Sequence, residues 1–201
     1  HPRLEAVFTT SEEVGMDGAA LLDTSMLKGH TVLNLDSEEE GILLAGCAGG
    51  CSAGIRLPLQ REKRGGIKAV LTVDGLKGGH SGAEIDKGRA NASRLLASVL
   101  ADLKKNVEYG LVSVAGGRKD NAIPRECRAE LLLSEEQVQK AQECMAASME
   151  TFKQKYAAAD PGLSVCLRTE GKEEAEVFTE ETLEHALALL TSLPNGVICM
   201  S

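Results

Sequence analysis

The chain has 201 residues, 22 basic and 30 acidic side chains for a formal charge of −8, and 43% hydrophobic content. That suffices for one ordinary domain, or two small ones, with a buried core. An acidic chain with only five aromatics lacks the phosphate-binding charge and stacking platforms of a nucleic-acid binder, and no apolar run reaches the ~18 residues of a membrane span.

The first stretch predicts strand, helix, strand: Leu4–Thr9, then a short helix over Met16–Leu22 stopped near Gly29, then Thr31–Leu35. At this spacing the pattern is that of a parallel crossover unit. The apolar run Ile42–Ala45 leads into the glycine-rich segment from Gly46 to Gly54, a linker that divides residues 1–50 from 51–201. Charge divides there too. Residues 1–40 hold nine acids against two bases, a net of −7, so almost the whole excess sits in the first fifth of the chain.

Beyond the linker, strands are expected over Ile55–Gln60, Ile67–Asp74, Leu111–Ala115, Cys127–Leu133 (with Arg125 as an alternative start) and Leu163–Arg168. Helices are expected over Ile85–Lys105, from a Ser134-Glu135-Glu136-Gln137 capping box onward, and over Thr179–Leu193. The second helix carries the apolar stripe Val138, Ala141, Met145, Met149, Phe152 and Tyr156. The order strand–helix–strand–strand–helix–strand is the split βαβ, ferredoxin-like arrangement. The fold class expected is therefore α/β and α+β: a short parallel piece over 1–50 followed by a ferredoxin-like domain over 51–201. Both termini fall inside apparent secondary structure, which predicts an internal piece of a longer chain.

The acidic segment also carries candidate chemistry. Glu12 and Glu13 follow the first expected strand and Asp36 ends the second. Parallel strands would gather all three carboxylates at one sheet edge, where open α/β sheets place ligands. Such a cluster either holds a cation that keeps it ionised or is a solvated acidic loop with Glu38–Glu40 as a surface run. The six cysteines are scattered, mostly among apolar neighbours, and read as reduced thiols of a cytoplasmic protein. Cys47-x3-Cys51 lacks a second pair at metal-ligand spacing. His80, flanked by glycines before a helix, serves either a turn or a site; Asn121 before Ala-Ile-Pro, either an Asx turn or a substrate contact. Arg89 and Asn91 take surface or capping roles, and His30 and His185 are exposed.

Five stretches together resemble the co-catalytic zinc peptidases of the aminoacylase and carboxypeptidase superfamily, and within it the aminoacyl-histidine dipeptidase branch. They are Phe8–Met16 (FTTSEEVGM), Asn34–Gly41 (NLDSEEEG), Gly78-Gly79-His80-Ser81-Gly82 with Arg89-Ala90-Asn91-Ala92, Asn121–Glu126 (NAIPRE) and Leu193–Val197 (LPNGV). The resemblance implies a metal-dependent dipeptidase acting on Xaa-His and other dipeptides, with two divalent ions, zinc first and manganese or cobalt as alternatives. It implies Glu12 as general base, Glu13 as a ligand of one ion and Asp36 as a ligand of the other. His80 then stabilises the oxyanion from a lid domain, and Asn121 contacts substrate. The family's His-x-Asp motif and bridging aspartate would precede residue 1, and a final His ligand and a lid arginine would follow residue 201. The 201 residues alone are therefore expected to be inactive and metal-free. The competing expectations are a non-catalytic ferredoxin-like binding or homodimerisation module, and a related metal-dependent deacylase or aminopeptidase.

Overall fold

A computed structural model describes residues 3–12, 15–35, 40–46 and 49–199. The chain divides into two compact units, His1–Gly50 and Cys51–Ser201.

In the first unit the described residues contain a short helix, α1 (Asp17–Ala20), and a 3-10 turn over Thr24–Met26 capped by Asp23. The strands expected at Leu4–Thr9 and Thr31–Leu35 do not form, and neither does the crossover they would have framed. A strand needs a neighbour for its ladder and a layer for its apolar face, and Phe8, Val32 and Leu35 are all 88% exposed or more. The acidic excess is spent partly on local backbone: Glu5 Oε2 accepts the Lys28 and Gly29 N–H groups at 2.8 and 3.0 Å. Those bonds, led by the one from Lys28, hold the Glu5 carboxyl below the usual carboxylate range.

The second unit is built on a four-stranded antiparallel sheet of β1 (Arg61–Asp74), β3 (Tyr109–Gly116), β5 (Cys127–Leu133) and β6 (Ser164–Phe178), in the order β3-β5-β1-β6. Helices α2 (Ala92–Lys104) and α3 (Glu135–Tyr156) make the two crossovers, and α4 (Glu180–Ser192) follows β6. This is the ferredoxin-like βαββαβ arrangement expected from the order of elements. Alternation does the sorting: Ala69, Leu71 and Val73 of β1 and Ala129, Leu131 and Leu133 of β5 point into one core, where α2 delivers Leu96, Val99, Leu100 and Leu103. The α3 stripe is buried at Ala141, Met145 and Phe152 and half-buried at Val138, Met149 and Tyr156.

Some boundaries differ from expectation. Ile55–Gln60 forms no strand, and β1 begins at Arg61. The helix expected from Ile85 starts at Ala92, because Gly88 takes a left-handed φ of 65° after a 3-10 turn over Ile85–Lys87, and Asn91 then caps the helix by accepting the Arg94 N–H at 3.2 Å. Helix α3 does follow Ser134, but the Ser134 side chain makes no capping bond, so the expected capping box is absent. A two-residue ribbon, β2 (Gly79–His80) paired with β4 (Ala122–Ile123), stands apart from the main sheet.

Candidate functional site

The β2–β4 ribbon brings together loops that carry two of the expected site residues. Gly79 pairs with Ile123 and His80 with Ala122, and the Ser81 N–H donates to the Asn121 carbonyl at 2.9 Å. Two residues expected to act on substrate, His80 and Asn121, thus stand side by side although 41 positions apart, and both are exposed.

The ring of His80 is held by backbone. Its Nδ1 accepts the N–H groups of Gly82 and Ala83 at 3.0 and 3.1 Å. A nitrogen accepting two bonds carries no proton, so the neutral ring bears its hydrogen on Nε2. The His80 backbone N–H donates to Glu84 Oε2 at 2.9 Å, and Glu84 N–H returns to the His80 carbonyl at 3.1 Å. Glu84 Oε1 is paired with Lys87 Nζ at 2.7 Å and with the Arg89 guanidinium at 3.1 Å. The Lys87 bond first, then the His80 amide and the Arg89 charge, bring the Glu84 carboxyl down to about 2. Arg89 also donates to the Gly78 carbonyl. It lies ahead of the helix and is only 19% exposed along its side chain, so it is a loop fastener where a surface or capping role was expected. Asn91 does cap, and its amide also bonds Asn195 at 2.9 Å, tying in the Pro194-Asn195-Gly196 turn.

Two clefts border the ribbon. One, of about 510 Å³, is lined by Leu76, Arg118, Lys119, Ile123 and Arg125 among others; the second, of about 630 Å³, includes Ser81, Arg89, Lys119, Asn195 and Tyr156. Both use Lys119 and the Ala122-Ile123-Pro124 stretch as a wall.

In the first unit, Glu12 is exposed in a turn held by the Met16 N–H on the Ser11 carbonyl at 2.8 Å and the Gly18 N–H on the Thr10 carbonyl at 3.2 Å. Ser11 and Met16 adopt φ of 63° and 60°, a region that costs a non-glycine residue ~1 kcal/mol or more and gathers at functional sites. Glu13 and Asp36, the expected metal ligands, lie outside the described residues, as does Cys47 of the Cys-x3-Cys pair. Among the described residues no cluster of three or more His, Cys, Asp or Glu could hold a metal ion. The donor set expected within this chain, two carboxylates each assigned to a different ion, is too small to build a two-ion site.

Sequence reasoning did not single out Glu84 or Asp160, and misjudged Arg89. Glu84 carried one usable signal, a carboxylate four residues after His80 with Lys87 and Arg89 close behind.

Residues 62–160, which include β1 to α3 of the ferredoxin-like second unit, match the peptidase dimerisation domain family. Two dipeptidases are similar to the chain over nearly all of its own length. The chain is 36% identical over 200 residues to a cytosol non-specific dipeptidase of Escherichia coli (strain K12), a match covering 98% of the chain and 41% of that protein. It is 34% identical to the aminoacylhistidine dipeptidase from Vibrio alginolyticus, whose crystal structure superposes with a TM-score of 0.76 over 96% of the chain and 40% of that protein. The chain thus spans about two fifths of the length of these relatives.

Proposed function

We propose that this chain forms part of a metal-dependent dipeptidase that hydrolyses Xaa-His and other dipeptides in the cytoplasm. The observation that carries the reading is His80: an exposed ring whose Nδ1 is locked by two backbone amides and whose Nε2–H is left to donate. A donor fixed before substrate arrives needs no reorganisation when charge develops on a carbonyl oxygen, and one such donor is worth ~3 kcal/mol. Glu12 takes the proton of the attacking water as general base, and Asn121, whose carbonyl accepts the Ser81 N–H next to His80, contacts the substrate. Glu13 and Asp36 would each hold one of two divalent ions, zinc first and manganese or cobalt as alternatives, with the remaining ligands supplied from outside these 201 residues. Bound ions of this kind favour ionisation of water near neutral pH. Lys119 and Lys155 line the second cleft together with Asp86 and Asp120, and the two cations suit the carboxylate of a dipeptide.

The test is dipeptide hydrolysis by the metal-loaded full-length parent. His80→Ala is expected to lower kcat by about 10²–10³, and Glu12→Ala by about 10²–10⁴. Unchanged rates in both variants would refute the roles assigned. The 201-residue chain by itself is expected to hydrolyse nothing above background. The dimerisation-domain match supports one further role for the second unit, self-association, which light scattering of the parent at micromolar concentration measures.

A further inference from the structure

Asp160 lies 80 residues along the chain from His80, in a sequence, Asp160-Pro161-Gly162, that has the composition of a surface turn. Its residue is nevertheless 1% exposed. Its Oδ1 accepts the Lys77 N–H at 2.8 Å, and its Oδ2 accepts the Ala90 N–H at 2.7 Å. Those two amides are the ends of the loop that carries His80. The carboxylate is itself fixed, because the Asp160 N–H donates to the Tyr156 carbonyl at 2.8 Å beyond the last turn of α3, and the Leu163 N–H closes on the Asp160 carbonyl at 3.1 Å.

From the loop ends the chain of contacts runs inward. Arg89, adjacent to Ala90, bonds the Gly78 carbonyl, adjacent to Lys77, and reaches Glu84, which in turn receives the His80 amide. We propose that Asp160 is a positioning residue for His80: one buried carboxylate pins both ends of the 77–90 loop and so sets where the Nε2–H of His80 points. The chemistry selects a carboxylate. Two donors converge on it, and only Asp among residues of this size offers two acceptor oxygens; the amide of Asn would turn an NH₂ toward one of them. A buried amide so stranded pays a desolvation penalty that the loop relieves by moving. The inference rests on the oxyanion role proposed for His80, and it differs from that role in acting through backbone geometry alone.

The experiment uses the full-length, metal-loaded parent carrying Asp160→Asn, His80→Ala and both together. Asp160→Asn is expected to lower kcat about tenfold or more with KM within about twofold. In the His80→Ala background it is expected to change kcat by less than about twofold, since its effect passes through the missing ring. Hydrogen exchange read by mass spectrometry is expected to show about tenfold faster exchange across residues 78–84, where the Gly82 and Ala83 amides leave His80 Nδ1, with the β1 and β5 amides unchanged. Unaltered exchange over 78–84, or an equal kcat loss in both backgrounds, overturns the proposal. Wild-type turnover by His80→Ala would instead overturn the oxyanion reading and with it the functional half of this one, while the exchange result still decides whether the carboxylate holds the loop. If Asp160→Asn does not fold, Asp160→Glu, which keeps both acceptors and displaces them by one methylene, takes its place in the same three measurements.

Discussion

Gly79 is where a single added methyl group tests the geometry of the His80 ribbon. Its φ is +141°, outside the range side-chain-bearing residues adopt without strain, and a Cβ there would stand 2.3 Å from Arg89 Nη1 and 2.5 Å from Glu84 Oε2. The backbone strain alone is ~1–3 kcal/mol. The overlap adds ~1–3 kcal/mol, because Arg89 cannot withdraw without releasing the Gly78 carbonyl and Glu84 cannot withdraw without releasing the His80 amide. Gly79→Ala is therefore expected to destabilise the second unit by about 2–6 kcal/mol. Gly171→Ala is the control: it sits in β6 with no atom within 4 Å of its Cβ position and no left-handed φ, so it is expected to stay within about 0.5 kcal/mol of wild type. Urea unfolding of the 201-residue chain, followed by far-ultraviolet circular dichroism, measures both. A Gly79→Ala variant as stable as Gly171→Ala would refute the packing described around His80.

Two further outcomes follow from the same loop and its helix. Asn91→Ala removes the cap of α2 and the bond to Asn195 and is expected to cost about 0.5–2 kcal/mol, read as a lowered thermal midpoint that Asn91→Asp largely restores. Glu84 titrates at about 2 in the folded chain against an ordinary 4.5, a depressed value, so its contribution to stability is present above about 4.5 and is lost as pH falls through about 2. The stability gap between wild type and Glu84→Gln should accordingly be constant above pH 5, narrow on acidification and close near pH 2; a gap that does not narrow would show that the Glu84 charge has no folded-state partner.

What the sequence revealed depended on how local the governing physics was. The strand Cys127–Leu133 was legible to within two residues at its start, because its core face alternates and polar residues bound it. The strand β6 was expected to end at Arg168 and runs on to Phe178. Its second half, Glu170-Gly171-Lys172-Glu173-Glu174-Ala175-Glu176, has no apolar period and would pass for a loop. It forms a strand because it faces the basic start of β1, with Lys63 directly opposite Glu176 and Lys68 Nζ 3.3 Å from Glu173. Cross-strand charge matching of this kind is invisible to a one-dimensional pattern. The first unit shows the reverse failure. Apolar runs at 4–9 and 31–35 were read as strands, yet neither run forms one, and the described residues of that unit contain no strand at all.

The site divides along the same line. His80 and Asn121 were singled out because glycines and a proline mark their loops, and the structure joins the two loops through the Ser81 N–H on the Asn121 carbonyl. The means by which His80 is held is only half local. Gly82, Ala83, Glu84 and Arg89 lie within nine residues of it, close enough for a reader of turns to find. Asp160 is found only by folding the chain, since an acid before Pro-Gly has every property of a solvated turn until α3 carries it beneath the loop. Its 1% exposure and its two bonds to Lys77 and Ala90 are then the informative departure from local expectation. A buried carboxylate is retained where its acceptors have fixed donors to meet, and here both donors belong to the one loop whose placement the proposed chemistry requires.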